Sequence, residues 1–168
     1  GTLLLDLDND GDRVLVVVMD TNILLMANDG TGRFFQRSVY YLKDYAYSLA
    51  AADYDRDGDL DLYLCGRDST DNLLQQGVLG LPMPYHDANN GARNALLRND
   101  GNWRLTDVTV AVGLDANNRR FSFAASWEDY DNDGDLDLFL TAVYSPDSCV
   151  IYRNNGDWTF TNVTTEAS

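Results

Sequence analysis

Apolar and polar residues alternate along this chain in short bursts. In DLDLFL, residues 135–140, Leu136, Leu138 and Leu140 fall on one face while Asp137 and Phe139 fall on the other, the period-two pattern of a β-strand. DLYLCG (61–66) and VLVVVM (14–19) occupy the same place in two related stretches. Further on come ILLMANDGTGRFF (23–35), ALLRNDGNWRLTDVT (95–109) and VIYRNNGDWTFTNVT (150–164), each an apolar strand, an Asn-Asp-Gly or Asn-Asn-Gly turn and a second strand. Asn and Gly accept the positive φ that tight hairpin turns require, so these segments predict hairpins. No long segment carries a helical period.

The chain repeats. YAYSLAAADYD (45–55) aligns with FSFAASWEDYD (121–131), and GTLLLDLD (1–8) matches the last part of that unit. Each unit predicts a strand, an aspartate-bearing loop, a second strand and a hairpin. Four short strands per recurring unit describe the blades of a β-propeller, in which neighbouring sheets bury each other's faces. An ordinary β-sandwich with acidic turns is the alternative, but it does not require turn chemistry to recur together with its flanking strands. The expected fold is therefore all-β, with about three blades of four antiparallel strands: 1–44 (lacking its start), 45–118 with an insertion at about 66–94, and 119–168. Propellers close with about four to eight blades, so the reading expects an excerpt of a longer propeller or an arc completed by other chains.

Charge narrows the partners. The net charge is −15, and 25 of the 27 acidic residues are aspartate, a residue of loops and turns. Such a surface repels nucleic acid, whose binding relies on clustered Lys and Arg, and here there are 12. The longest apolar run, 14–19, is far short of the ~20 residues of a membrane-spanning helix. No signal peptide opens the chain, which reads as a mature chain or an excerpt of one.

The aspartates have a fixed spacing. DYDRDGDLD (53–61) and DYDNDGDLD (129–137) follow D-x-D-x-D-G-x-x-D, and DLDNDGDRV (6–14) follows it until Val14 replaces the last carboxylate. Five like charges in nine residues need a counter-charge. Carboxylates at the first, third, fifth and ninth places can converge, with a backbone carbonyl near the seventh turned inward and the glycine permitting the bend. An all-oxygen loop of this kind suits calcium better than magnesium or zinc. A helical EF-hand loop would carry glutamate at its twelfth place, where this chain has Leu64 and Leu140 inside predicted strands. The expected metal residues are Asp53, Asp55, Asp57, Asp59 and Asp61 in one loop and Asp129, Asp131, Asp133, Asp135 and Asp137 in another. Asp6, Asp8, Asp10 and Asp12 form a third group whose occupancy the missing carboxylate at Val14 leaves open.

These motifs, with YAYSLAAA and FSFAASWE before them and LLRNDGNWRLTDVT and IYRNNGDWTFTNVT after them, resemble FG-GAP or VCBS repeats, the calcium-loop blades of integrin α-subunit propellers and of many bacterial secreted proteins. The resemblance covers nearly the whole chain. It implies a propeller with calcium in the loop between a blade's first and second strands, Asp59 and Asp135 contributing mainly main-chain carbonyls.

On this reading the chain is an extracellular calcium-binding module for adhesion or for a protein or carbohydrate ligand, able to self-associate through exposed blade ends, and not an enzyme. A structural subunit of an extracellular assembly is one alternative; the propeller portion of a secreted polysaccharide-active enzyme is another. The insertion brings Leu81, Met83, Tyr85 and His86 together as a ligand surface or as a plain cover for a sheet edge. Cys65 and Cys149 are either a bridge between repeats or two buried thiols. Trp103 and Trp158, at matching hairpin places, are expected to pack within the blades, and Asn162 stands in a glycosylation sequon that is also a strand-end position.

Overall fold

The computed structural model describes residues 1–67, 88–143 and 149–166, and none of them is helical. Its strands are β1 (Thr2–Leu5), β2 (Val14–Met19), β3 (Asn22–Asn28), β4 (Phe34–Tyr41), β5 (Ala46–Ala52), β6 (Asp61–Gly66), β7 (Ala95–Asn99), β8 (Leu105–Asp107), β9 (Phe121–Glu128), β10 (Asp137–Val143), β11 (Cys149–Asn154) and β12 (Phe160–Asn162). Consecutive strands pair into three four-stranded sheets, β1-β2-β3-β4, β5-β6-β7-β8 and β9-β10-β11-β12. All the pairings are antiparallel, so each sheet is a blade-like meander. The proposed ligand-surface residues of the insertion, Leu81, Met83, Tyr85 and His86, lie outside the described residues.

Period-two alternation assigns the two faces of each sheet to two neighbours. Leu5, Val14, Val16, Val18, Ile23 and Leu25 of the first sheet pack against Leu62, Leu64, Ala95 and Leu97 of the second. The opposite face of the second sheet, with Tyr63, Cys65 and Leu96, packs against Leu138, Leu140, Val150, Tyr152 and Phe160 of the third. The second sheet is therefore covered on both sides, and every described position of β6 is buried. Burying a leucine or valine completely contributes about 1.5–3 kcal/mol, so these two seams supply the main cohesion.

The seams differ at one end. Between the second and third sheets, Val108, Val112 and Leu114 join the core. That stretch is stitched to β12 by the Phe160 N–H donating to the Val112 carbonyl at 2.8 Å. Between the first and second sheets the connection is only residues 42–45. A cavity of about 240 Å³ remains there, lined by Tyr40, Tyr41, Asp44, Arg93 and Asp107 among others.

The cysteines are not bridged. Both thiols are free, Cys65 buried and Cys149 exposed. Burial pushes the Cys65 thiol up to about 11. The tryptophans also part company. Trp103 packs against the core between the first two sheets, with the Arg37 guanidinium 5.9 Å from its ring centre. Trp158 is 52% exposed, contrary to the expected packing. The neighbours differ: β4 of the first sheet sets Arg37 over Trp103, while β8 of the second sheet is only three residues long, Leu105–Asp107. At the sequon, Asn162 Oδ1 accepts from the Thr164 N–H and hydroxyl at 3.1 and 2.7 Å, a local turn that Asp107 and Thr109 repeat.

Candidate metal centres

Strand pairing fixes where each aspartate loop starts and stops. Leu5 pairs with Val14, Ala52 with Asp61 and Glu128 with Asp137, leaving 6–13, 53–60 and 129–136 as the connections between first and second strands. All three adopt one conformation. The fourth place is left-handed in each, with φ of 56° at Asn9, 57° at Arg56 and 61° at Asn132, and so is the glycine at the sixth place, with φ of 92°, 95° and 92°. A side chain other than Gly, Asn or Asp is strained in that region, and Arg56 is the exception. The N–H of each glycine donates to the carboxylate at the first place, from Gly11 to Asp6 at 3.2 Å, from Gly58 to Asp53 at 3.1 Å and from Gly134 to Asp129 at 3.0 Å. The N–H at the seventh place donates to the carboxylate at the fifth, from Asp12 to Asp10, Asp59 to Asp57 and Asp135 to Asp133, at 2.8, 2.9 and 2.8 Å.

This folding turns one oxygen of several carboxylates inward with nothing to accept from. Oδ1 of Asp6, Asp8, Asp53, Asp55 and Asp129 is buried and has no hydrogen-bond donor. Carboxylate oxygens of Asp6, Asp8 and Asp10, of Asp53, Asp55 and Asp57, and of Asp129, Asp131 and Asp137 converge within 4.8 Å. A protein donor set could satisfy these oxygens only with N–H or O–H groups, and the loops aim none at them; a hard cation satisfies all of them at once. The cost of leaving them bare is visible in their acidity. Burial, then the charge of Asp10, raises the Asp8 carboxyl above its usual range. Burial, then Asp57, does the same to Asp55.

The ninth place has an additional task. Asp61 and Asp137 are completely buried. Asp61 accepts from the Asn99 N–H at 2.8 Å and the Tyr54 N–H at 3.3 Å. Asp137 accepts from the Asn154 N–H at 2.8 Å and the Tyr130 N–H at 3.1 Å. Each carboxylate ties the start of its loop to the hairpin of its own sheet. Burial drives Asp61 up to about 7 in spite of these donors. Burial raises Asp137 as well. In the first loop Val14 is buried in this place, and the three converging carboxylates, Asp6, Asp8 and Asp10, have the same places as the trio of the second loop. Val14 thus removes the tie and leaves the trio.

The seventh place faces the neighbouring sheet. Asp59 Oδ1 accepts from the Asn9 amide at 2.6 Å and the Gly58 carbonyl from the same amide at 3.2 Å. One sheet further on, Asp135 Oδ1 lies 2.9 Å from the Arg56 guanidinium, which also donates to the Gly134 carbonyl. The fourth-place side chain of one loop therefore holds the sixth and seventh places of the next. Hairpin asparagines bond in the reverse direction: Asn99 Nδ2 donates to the Leu7 carbonyl at 2.8 Å and Asn154 Nδ2 to the Tyr54 carbonyl at 3.4 Å. Sequence reading passed over these residues. Their signal was the recurrence of Asn28, Asn99 and Asn154 before each turn glycine, and of a long or amide side chain at the fourth place.

An FG-GAP-like repeat model matches residues 6–64 and 129–168. The chain belongs to the FG-GAP-like repeat family. No curated protein matches it. Among solved structures, the FG-GAP-like chain is similar to an Agrocybe aegerita lectin described for its specific recognition of non-reducing terminal N-acetylglucosamine, with a TM-score of 0.52 and 17% identity. The match covers 95% of this chain and 36% of that one. At that identity the likeness speaks for the fold alone.

Proposed function

We propose that this FG-GAP-like chain is an extracellular, calcium-stabilised binding module, with a carbohydrate as the ligand class its surface fits best, and that it binds its ligand without transforming it. One observation carries the calcium reading: five buried carboxylate oxygens, spread over three loops of one conformation, have no donor. Asp53, Asp55 and Asp57, and Asp129, Asp131 and Asp137, would hold the ion in the second and third loops, and Asp6, Asp8 and Asp10 in the first. Bound calcium supplies the positive charge that lets these carboxylates stay ionised side by side. Millimolar calcium outside cells suits loops of modest affinity and favours an extracellular setting.

The ligand reading rests on the cavity between the first and second sheets. Tyr41 stands 76% exposed at its rim. Arg93 bonds Asp107 at 2.7 Å and Asp115 at 2.8 Å nearby. An exposed aromatic ring beside fixed carboxylate and guanidinium groups offers what a sugar ring needs, a flat apolar face and paired acceptors and donors for vicinal hydroxyls. The lectin to which the chain is similar is described for recognising a terminal sugar, which makes saccharides the class to test first.

The test is thermal unfolding with calcium and with chelator, joined to binding of immobilised oligosaccharides. Calcium at ~100 times its dissociation constant should add ~2.7 kcal/mol per independent site. Asp55→Asn should remove part of that gain, and Tyr41→Ala should abolish sugar binding without moving the melting temperature. A melting temperature indifferent to chelator sinks the calcium reading; sugar binding unaffected by Tyr41→Ala, or absent altogether, sinks the ligand reading.

A further inference from the structure

Two strands carry an extra residue at the same place. β5 pairs Ala46 with Gly66 and Ser48 with Cys65, which leaves Tyr47 out of the ladder, and β9 pairs Ser122 with Ala142 and Ala124 with Thr141, which leaves out Phe123. YAYSLAAADYD and FSFAASWEDYD put Tyr47 and Phe123 at equivalent positions, so the bulge recurs with an aromatic residue on it. A bulge bends its strand and re-aims the side chain it carries. Here it brings two rings together from neighbouring sheets, edge to face, with their centres 5.2 Å apart. The Ser48 hydroxyl donates to the Phe123 carbonyl at 2.6 Å and so ties the two bulges to each other. The Arg67 guanidinium lies 5.2 Å from the centre of the Tyr47 ring and 5.1 Å from that of Phe123, a cation held by the negative faces of both. Tyr47 nevertheless stays 45% exposed.

This aromatic pair adjoins the cavity between the first and second sheets. Ala46 lines that cavity, and Tyr47 follows it with its Cα about 3.8 Å away. A second strand of backbone joins the two places: the Ala92 N–H donates to the Arg67 carbonyl at 3.3 Å, and the next residue, Arg93, lines the cavity. Gly66 permits that approach, since a Cβ there would stand 2.6 Å from the Arg93 carbonyl. Cavity and ring pair therefore flank the beginning of β5, the cavity on the side of the first sheet and the rings on the side of the third. A ligand that crosses this strand end touches both.

We infer that Tyr47, with Phe123 and Arg67 behind it, is a second subsite for the ligand of the cavity, and that this ligand is an oligosaccharide of at least two units, one in the cavity beside Tyr41 and the next over Tyr47. The inference rests on the carbohydrate reading of the cavity. A sugar unit suits the second place because its C–H face is apolar and slightly positive and so complements the negative face of an aromatic ring. The bulge, the Ser48 bond and the guanidinium hold the ring in position before the ligand arrives, which spares the cost of ordering it on binding. Two units joined by a glycosidic bond make the second contact intramolecular, so affinity rises from monomer to dimer.

Calorimetric titration of the whole 168-residue chain with calcium present tests this, using glucose, mannose, galactose and N-acetylglucosamine as monomers and as their linear dimers, trimers and tetramers. For the sugar that binds, the expected affinity is about tenfold higher for the dimer than for the monomer, equivalent to about 1.4 kcal/mol, with little further gain beyond the dimer. Tyr47→Ala should bring the ratio of dimer to monomer affinity down to about one, whereas Tyr41→Ala should abolish binding at every length. The unmodified chain gives the same answer where the Tyr47 variant does not fold: nitration of Tyr47 by tetranitromethane, read by peptide mapping, should slow several-fold with dimer and not with monomer. A dimer that binds no better than its monomer, a length gain that survives Tyr47→Ala, or nitration of Tyr47 unaffected by dimer overturns the second subsite and leaves the sugar site in the cavity standing. Failure of every sugar to bind at any length overturns the carbohydrate reading itself, and the subsite with it.

Discussion

Asp61 concentrates the chemistry of its loop in one side chain, because it is buried, charged at neutral pH only against resistance, and bonded to two backbone N–H groups. Its carboxyl titrates at about 7 in the fold. In the unfolded chain an aspartate titrates near ~3.9. A carboxyl raised by folding contributes stability that is fully present below the unfolded value and is lost as pH rises through the folded one. Asp8, Asp55 and Asp137 are raised too and act in the same direction. Asp29, Asp100, Asp107 and Asp157 are lowered, so they are ionised in both states above ~4 and leave that window alone. In chelator, therefore, the melting temperature should be higher at about pH 5 than at about pH 8. Saturating calcium should reverse the order, because the ion favours the deprotonated carboxylates. Asp61→Asn should flatten the chelator profile while lowering stability throughout, since its NH₂ meets a backbone N–H where the carboxylate accepted one. A chelator profile rising from acid to neutral would contradict this account of Asp61.

The hairpins show how an element tolerates an awkward residue when something else holds it. At one place in the turn the first sheet has Gly32, with φ of 85°, and the other two have Trp103 and Trp158, each with φ of 65°. A left-handed backbone costs an ordinary residue roughly 1–2 kcal/mol relative to glycine. Trp103 recovers that through core packing and the Arg37 guanidinium; Trp158, half in solvent, does not. Trp158→Gly should consequently leave stability unchanged or raise it by up to ~1 kcal/mol, while Trp103→Gly should lower it by ~1–3 kcal/mol in urea unfolding. Equal effects would mean that packing does not separate the two turns. Much at this scale was readable beforehand. Strand alternation, turn glycines and the aspartate spacing are all local patterns, and they placed the four strands of each sheet and the loops that gather carboxylates. The tie made by Asp61 and the bonds between neighbouring sheets were not readable, because they join residues far apart in sequence, Asp61 with Asn99, Asn9 with Asp59 or Asn154 with Tyr54. Spacing within one repeat carries no information about which repeat lies beside it or how far it is shifted. The difference between Trp103 and Trp158 escaped for the same reason, since Arg37, which covers Trp103, comes from the neighbouring sheet.

Taken whole, the molecule is a stack in which the middle sheet belongs to two cores and the outer sheets to one each. Local opening should begin at the outer sheets and reach β6 last, since a strand buried on both faces exposes the most apolar surface when it leaves. The stack also explains why the acidic loops can share one end of the molecule: every sheet has the same strand order, so the connection between its first two strands always emerges on the same side. The thiols give this arrangement a readout. Cys149 is open to solvent, while Cys65 sits between the second and third sheets with its thiolate disfavoured by burial. A thiol reagent acts on the thiolate, so the native chain should take one label quickly, and the second only at the rate at which those two sheets part. Mass spectrometry over time would then count molecules as zero, one or two labels. The interval between the first and second label is a clock for the opening of a single interface, built into the chain without any added probe. Calcium should slow that clock if the ions hold the stack together; simultaneous labelling of both thiols in the native chain would show that the interface gives Cys65 no protection.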